Sequence, residues 1–324
     1  MRKIPVIMCI DVEPDDRAIA QLEKSPWSGF PLSHDYFFGL RERLAAATGS
    51  PVHYSWFLRM DPQVNETYGS ASWPVLQYPQ LISQIESVKD EIGLHVHPWR
   101  WSEAHQSWSA DFADQTWIDH CLRSSFTTYR SAFGRECQSF RFGDRWMSNQ
   151  TMEVLERLGV RFDLTLEPGH PLVTSPANDE IHTDPLPDYS NVPQVPYHPS
   201  KFDYRTPDPS RKAGLIVIPV SSGDIVPWES RLARVRRLLH LGAAPPIRLT
   251  LGMWHDPRVF IAIMNSLLKR ERLPYLAFVV RSDTPIRSFM PFMEETFERI
   301  LTHPWIDRFV FSTPAEAMAR LGHQ

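Results

Sequence analysis

The sequence predicts an α/β protein in which parallel strands form a barrel with helices on the outside. Short apolar runs alternate with helical patterns about eight times along the 324 residues, which is typical of a parallel sheet covered by helices. Charged residues and histidines directly follow several of these runs, as in barrels whose chemistry lies at the carboxyl ends of the strands. No glycine-rich phosphate loop follows any run, which argues against a nucleotide-binding, doubly wound sheet.

Composition narrows the class of protein further. The chain is 42% hydrophobic and 22% charged, so it can bury a core, and we predict a single domain over residues 1–324. A net charge of −4 argues against a nucleic-acid partner. The three cysteines form no Cys-x-x-Cys pair, so no disulfide framework or thiolate zinc site is expected. Asp11 interrupts the first apolar run too early for a signal peptide, and no run reaches the length of a membrane span. We therefore expect a cytoplasmic protein without a transmembrane segment.

The predicted strands are short apolar runs bounded by polar or turn residues. They cover residues 4–11, 52–60, 91–97, 139–143, 160–166, 214–220, 247–254, 275–282 and 308–312. The predicted helices have apolar residues three to four apart, and Gly49 ends the first of them. They cover residues 33–49, 79–93, 119–133, 148–159, 229–242 and 258–273, then a segment through Phe297 and a terminal helix from Pro314.

A proline-rich segment interrupts this alternation at about residues 168–209. It has neither a helical nor a strand period, so it predicts a long ordered insertion that runs over the surface of the barrel. A flexible linker between domains is the alternative. The aromatic residues Tyr189, Tyr197, Phe202 and Tyr204 favour a segment that packs, and such a segment can form one wall of a binding cleft.

Candidate site residues follow from the strand ends. The first strand ends with Asp11 and Glu13, and the third ends with His95 and His97. Residues two apart on a strand point to the same side, so each pair can face the barrel mouth, the end where the strands finish. Two imidazoles with one or two carboxylates suit a divalent ion such as Zn²⁺. An ion with three protein ligands can also bind water and lower its pKa toward about 7.

Two later strand ends add further polar groups. The fourth strand ends in FRFGD, which offers Arg141 and Asp144, and a later one ends in GMWHD, which offers His255 and Asp256. Taken alone, Arg141 can also be an ordinary ion-pair partner of Asp163.

Several motifs together resemble the polysaccharide deacetylase family, which is defined by the NodB-homology domain. They are IDVEPDD, EIGLHVHP, SFRFGD with RLGVRFDLTLEPG behind it, and the closing FVFSTPAEAMARL. DVE together with HVHPW is most similar to the branch associated with lipopolysaccharide and cell-wall polysaccharide gene clusters. The resemblance runs from Ile4 to about Leu321. It implies a distorted (β/α)7 barrel, a divalent metal held by one carboxylate and two histidines, and removal of an acetyl group from an N-acetylated sugar.

The resemblance also implies a role for individual residues. Asp11 falls on the position of the catalytic base and Arg141 on that of the arginine that positions it. Glu13 and His95 fall on metal ligands. The second histidine of the family stands four residues after the first, where this chain has Trp99, so His97 is the nearby substitute.

The general acid is the least determined role. His255 has suitable chemistry because amine departure needs a proton donor whose pKa lies near the operating pH. The matching strand of the family instead places Arg281 there, which would stabilise an oxyanion and leave the acid absent. We favour His255.

Three functions remain open on the sequence alone. The leading one is a hydrolase that depends on zinc, or on cobalt, nickel or manganese, and acts on an N-acylated saccharide. The second is an amidohydrolase-type C–N hydrolase, in which a His-x-His pair belongs on the first strand rather than the third. The third is a catalytically silent barrel of the deacetylase type that binds saccharide or scaffolds partners. The sequence does not predict an oligomeric state.

Overall fold

A computed structural model describes residues 3–16, 24–174, 185–225, 246–270, 275–283 and 286–323. The helix predicted over residues 229–242 and part of the predicted insertion, residues 175–184, lie outside the described residues. Within the described ranges, no helix has the length and hydropathy needed to cross a membrane.

The described residues form twelve strands. They are β1 Ile4–Val12, β2 Ser55–Arg59, β3 Glu91–Val96, β4 Trp99–Ser102, β5 Ser107–Ala110, β6 Ser139–Phe142, β7 Phe162–Asp163, β8 Ile216–Val217, β9 Ser222–Ile225, β10 Ile247–Thr250, β11 Leu276–Arg281 and β12 Phe309–Phe311. The α-helices of the same ranges are α1 Gly29–Thr48, α2 Pro62–Tyr68, α3 Trp73–Gln77, α4 Pro79–Ser87, α5 Gln115–Phe133, α6 Asn149–Arg157, α7 Pro257–Leu268, α8 Ile286–Leu301 and α9 Pro314–Leu321.

Eight strands form one parallel sheet that curls into a barrel. Its order is β11-β1-β2-β3-β6-β7-β8, with β12 beside the start of β1, and every neighbouring pair is parallel. The segment after β8 then reaches β11, because the Ser221 amide donates to the Ala277 carbonyl at 2.9 Å and Ala277 N donates to Ser221 Oγ at 2.9 Å. The predicted class, a distorted barrel of parallel strands with helices outside, is confirmed.

The run 247–254, predicted as one barrel strand, is divided in two. Its first half, β10, pairs antiparallel with β9 outside the barrel. Its second half bridges β11 in parallel at Gly252 and Val279. Ile247 is 49% exposed, as expected for a strand outside the wall, since a strand in the wall has helices on one face and the interior on the other. The sequence also gave no indication of the hairpin of β4 and β5.

The sheet is buried on both faces, and each face has its own apolar cluster. All nine residues of β1 are buried. Val6, Met8 and Ile10 pack with the surrounding helices, whereas Ile7 and Cys9 belong to a second cluster with Phe57, Ala277 and Val279 that fills the barrel interior. This alternation, which has a period of two, decides which side chains can reach the site.

The described parts of the proline-rich segment pack on the barrel through hydroxyl groups. Tyr189 and Tyr204 are buried, and their hydroxyls donate to the carbonyls of Arg145 at 2.6 Å and Met147 at 2.9 Å. Tyr197 is also buried. Phe202, which we expected to pack, is 92% exposed, so that expectation is wrong. It lies in a polar turn whose Ser200 hydroxyl accepts from the Phe202 amide at 3.2 Å.

Candidate active site

The inward-facing residues change from apolar to polar at one end of the barrel. On β1 the interior positions Ile7 and Cys9 are followed, two and four residues on, by Asp11 and Glu13. The same alternation on neighbouring strands leads to Arg59 and Asp61 at the end of β2, His95 and His97 at the end of β3, Arg141 on β6 and Arg281 on β11. The residues from β1, β3, β6 and β11 line a cavity of about 290 Å³.

Glu13, His95 and His97 form one cluster, here called the ligand cluster. One ligand atom from each lies within 4.8 Å of the other two, and all three side chains are buried. The two histidine Nε2 atoms are 3.0 Å apart. Glu13 Oε1 lies 3.6 Å from His95 Nε2, and Glu13 Oε2 lies 3.3 Å from His97 Nε2.

Hydrogen bonds at the other ring nitrogen decide what these two Nε2 atoms offer. His95 Nδ1 donates to the Arg141 carbonyl at 3.1 Å, because a carbonyl can only accept. His97 Nδ1 donates to the Asp144 carboxylate at 2.7 Å. With Nδ1 of each ring engaged in this way, the two Nε2 atoms point at the same place, where both could bind one cation. Two such nitrogens and a carboxylate fit a divalent metal of the zinc type.

The carboxylate of Glu13 also has two cationic neighbours. Arg59 Nη1 lies 3.5 Å from Glu13 Oε2, and Arg281 Nε lies 3.9 Å from Glu13 Oε1. Arg59 is fully buried and donates to Asp61 Oδ1 at 3.0 Å. Asp61 also accepts from the His97 amide at 3.2 Å. The ligand cluster is thus fixed by a buried ion-pair network on its β2 side.

Asp11 is held by Arg141 from the opposite side of the cavity. Arg141 Nε donates to Asp11 Oδ2 at 3.0 Å, and Arg141 Nη1 donates to the Leu164 carbonyl at 2.8 Å. Asp11 Oδ1 is buried and has no hydrogen-bond partner among the described residues. Burial alone would lower the pKa of Arg141. The nearby carboxylates of Asp11 and Glu167 outweigh this effect, so the pKa lies above the usual arginine value. Arg141 therefore stays charged and holds one oxygen of Asp11, while the other oxygen meets no hydrogen-bond donor among the described residues.

Arg141 does not pair with Asp163, the alternative that the sequence left open. Asp163 instead accepts from the Thr165 hydroxyl at 2.6 Å. Burial raises the pKa of Asp163 to about 7, although the hydrogen bonds from Thr165 and the charge of Arg141 oppose the shift.

A second polar group lines the other side of the cavity. Glu167 accepts from the Thr250 hydroxyl, and His170 Nε2 lies 2.9 Å from the same hydroxyl. His255 Nε2 donates to the Thr250 carbonyl at 3.0 Å. Burial lowers the pKa of His255, although the Thr250 carbonyl and Glu167 oppose the shift, and burial also lowers the pKa of His170. Both imidazoles are therefore neutral over more of the physiological range than an exposed histidine.

Backbone strain is concentrated at the loop after β6. Asp144 and Arg145 both have left-handed φ angles, +55° and +59°, which cost non-glycine residues free energy and cluster at functional sites. In this conformation the Asp144 carboxylate reaches His97. It also accepts a hydrogen bond from Trp99 Nε1 at 3.1 Å. A Cβ on the preceding Gly143 would lie 2.2 Å from the His97 ring, so only glycine allows this approach.

The structure brings all six predicted site residues to one cavity: Asp11, Glu13, His95, His97, Arg141 and His255. Asp144 was a candidate from the end of the fourth strand, and the structure places it in the same cavity. Sequence reasoning missed Arg59, Asp61, Arg145, Glu167 and His170. Arg59 and Asp61 carried a usable signal, because they continue the inward alternation of β2 beyond Phe57. Glu167 and His170 follow β7 in irregular structure, where no period exists.

Solved structures share this fold over nearly the whole chain. A protein assigned as a polysaccharide deacetylase from Pseudomonas aeruginosa PAO1 has a TM-score of 0.53 at 12% identity, covering 99% of this chain and 91% of that one. A protein with the same assignment from Mycobacterium smegmatis has a TM-score of 0.50 at 14% identity, with 99% and 91% covered. The PuuE allantoinase has a TM-score of 0.52 at 11% identity, with 98% and 89% covered.

At these identities the similarity shows the fold, which is that of the polysaccharide deacetylases. The resemblance predicted from the motifs is thus confirmed as a structural one. Neither a protein-family model nor a curated protein matches the sequence.

Proposed function

We propose that this protein is a metal-dependent hydrolase that removes an acyl group from an N-acylated saccharide. The observation that carries the proposal is the convergence of two histidine Nε2 atoms and one Glu13 oxygen within 4.8 Å, beside a buried aspartate with one oxygen available. Amide hydrolysis needs both an electrophilic centre and a base.

Glu13, His95 and His97 would hold the metal, with Zn²⁺ preferred and Co²⁺, Ni²⁺ or Mn²⁺ as alternatives. A divalent ion at this position would polarise an amide carbonyl and lower the pKa of water toward about 7. Asp144 and the Arg141 carbonyl hold the two rings in the required tautomers.

The proton transfers would be divided between the two sides of the cavity. Asp11 Oδ1 accepts a proton from the attacking water while Arg141 holds Oδ2. His255 donates a proton to the sugar nitrogen as the C–N bond breaks. Its place in the same cavity supports this role, and Arg281, beside Glu13, would stabilise the oxyanion.

A silent barrel that only binds saccharide is the second candidate. Arg59 and Arg281 lie within 3.5 Å and 3.9 Å of Glu13, so the carboxylate has cationic partners even without a metal. The amidohydrolase function is less well supported, because the His-x-His pair lies at the end of β3 and the two carboxylates lie at the end of β1.

The test is acetate release from N-acetylated mono- and oligosaccharides by the full chain after zinc loading. We expect turnover that is removed by a chelator and by Glu13→Gln, but kept by Asp35→Asn, a control carboxylate on the surface whose side chain is 79% exposed. Absence of amide cleavage in every N-acetylated and longer-chain N-acylated saccharide, in a protein that binds zinc, would exclude this hydrolase and favour the silent barrel.

A further inference from the structure

A second cavity lies beside the ligand cluster and has a different chemical character. Its volume is about 230 Å³. Apolar side chains form most of its wall: Met253 from the segment after β10, Val280 from β11, and Phe289 and Met293 from α8. Met253, Val280 and Met293 are almost completely buried, so the cavity is already formed in the absence of a ligand.

The apolar cavity adjoins the polar one. Trp254 and Arg281 line both. The Arg281 guanidinium is directed by Asp283, to which it donates a hydrogen bond, and its Nε lies 3.9 Å from Glu13 Oε1. A chain lying in the apolar cavity would reach the ligand cluster past Trp254 and Arg281, the two side chains that both cavities share.

The two cavities differ in which part of an N-acylated saccharide they can bind. Sugar hydroxyls would lose hydrogen bonds in the apolar cavity, which costs free energy. The opposite wall offers them Asp144, Arg145, Glu167 and His170. At about 30 Å³ for a group the size of a water molecule, a cavity of about 230 Å³ holds roughly seven methylene-sized groups.

We propose that this cavity binds the hydrocarbon chain of the acyl group. The preferred substrate is then an N-acylated saccharide whose acyl chain is longer than acetyl, on the order of four to eight carbons by the volume of the cavity. This inference rests on the proposed function, because it places the reacting carbonyl at the ligand cluster.

The kinetic test uses glucosamine N-acylated with chains from acetyl to octanoyl and measures amine release by the zinc-loaded full chain. Each buried methylene raises kcat/KM by about 3- to 4-fold until the cavity is full, so the optimum falls beyond acetyl. A kcat/KM that is highest for acetyl and declines with each methylene overturns the acyl-chain site while the hydrolase stands. A gain for the octyl glycoside of N-acetylglucosamine instead assigns the cavity to an aglycone and also overturns the proposal.

Variants of α8 test the position of the chain. Met293→Trp fills the cavity and should remove the gain for longer chains, whereas Phe292→Trp alters a side chain of the same helix that is 40% exposed and should preserve it. Phe289→Ala enlarges the cavity and should move the optimum to longer chains, which keeps the test decisive if Met293→Trp does not fold. An unchanged chain-length profile in folded Met293→Trp or in Phe289→Ala contradicts the proposal.

A binding experiment tests this inference without relying on hydrolysis, so its failure can be told apart from failure of the proposed function. Calorimetry should show N-methylhexanamide binding at least 10-fold more tightly than N-methylacetamide, with the difference lost in Met293→Trp. If no saccharide is hydrolysed but this difference is found, the hydrolase proposal fails and the apolar site stands. Equal affinities for the two amides overturn the apolar site whether or not hydrolysis occurs.

Discussion

At the residue scale, the two oxygens of Asp11 have different surroundings. Oδ2 accepts from Arg141 at 3.0 Å, and Oδ1 is buried without a hydrogen-bond partner among the described residues. Leaving a buried carboxylate oxygen unsatisfied costs free energy, and such a cost is expected where a substrate or water supplies the missing donor.

Asp11→Asn therefore tests the base. The variant should bind the same amount of zinc as the wild type, because Glu13 and the histidines are untouched, yet turnover should fall by about 10²–10⁴-fold. Zinc content and kcat are measured on the same preparation. Loss of zinc together with activity would show that Asp11 is a ligand or a structural residue instead.

His255 is tested through the pH profile. Burial lowers its pKa, with Thr250 and Glu167 opposing, and a general acid acts only while protonated. The kcat/KM should therefore decline as pH rises through a value below the ordinary histidine value of about 6.5. In His255→Ala this limb should disappear and turnover should fall by about 10²–10⁴-fold.

Arg281→Ala and His170→Ala are the comparisons for this prediction. Arg281→Ala should reduce turnover without moving the limb, since arginine does not titrate in this range. A His255→Ala variant with wild-type turnover, beside an inactive Arg281→Ala, would show that His255 is not the acid and that Arg281 acts as the oxyanion stabiliser instead. Loss of the limb only in His170→Ala would transfer the role to His170.

At the element scale, the loop after β6 joins the proline-rich segment to the site. The Tyr189 hydroxyl donates to the carbonyl of Arg145 at 2.6 Å, and Arg145 and Asp144 are the two residues of this loop with left-handed φ angles. The insertion thus supports the strained turn that directs Asp144 toward His97.

Tyr189→Phe should lower stability by about 0.5–1.5 kcal/mol and also reduce zinc affinity, because the turn that holds Asp144 loses a support. Tyr204→Phe is the matched control, since it removes a comparable hydroxyl bond to Met147 at 2.9 Å. Urea unfolding and zinc titration measure the two effects. Equal zinc affinity in both variants would contradict a link between the insertion and the site.

The elements also show how far sequence reasoning reaches. A period of two along β1 and β3 was enough to place Asp11, Glu13, His95 and His97 on the interior face, because a strand has only two sides. It could not divide the run 247–254, where burial in the finished barrel decides which half enters the wall. Nor could it find Glu167 and His170, which irregular backbone brings to the cavity.

At the scale of the whole molecule, the barrel gathers groups that are far apart in sequence. Arg141 and Asp11 are separated by 130 positions and lie 3.0 Å apart. Residues of β1, β2, β3 and β6 contribute to one charged network, whereas β11 and α8 supply an apolar wall. The solved structures share only the fold with this chain. The proposal of a metal-dependent hydrolase therefore depends on whether the ligand cluster binds a metal.

Equilibrium dialysis against zinc, followed by elemental analysis of the full chain, tests that claim most directly. We predict about one zinc ion per wild-type chain, lost in His95→Ala and in His97→Ala, because each removes one of three ligands. His105→Ala, a control on an exposed histidine, should bind as the wild type does. Wild-type protein that binds no zinc at saturating concentration would contradict the account and identify the barrel as one without a catalytic metal.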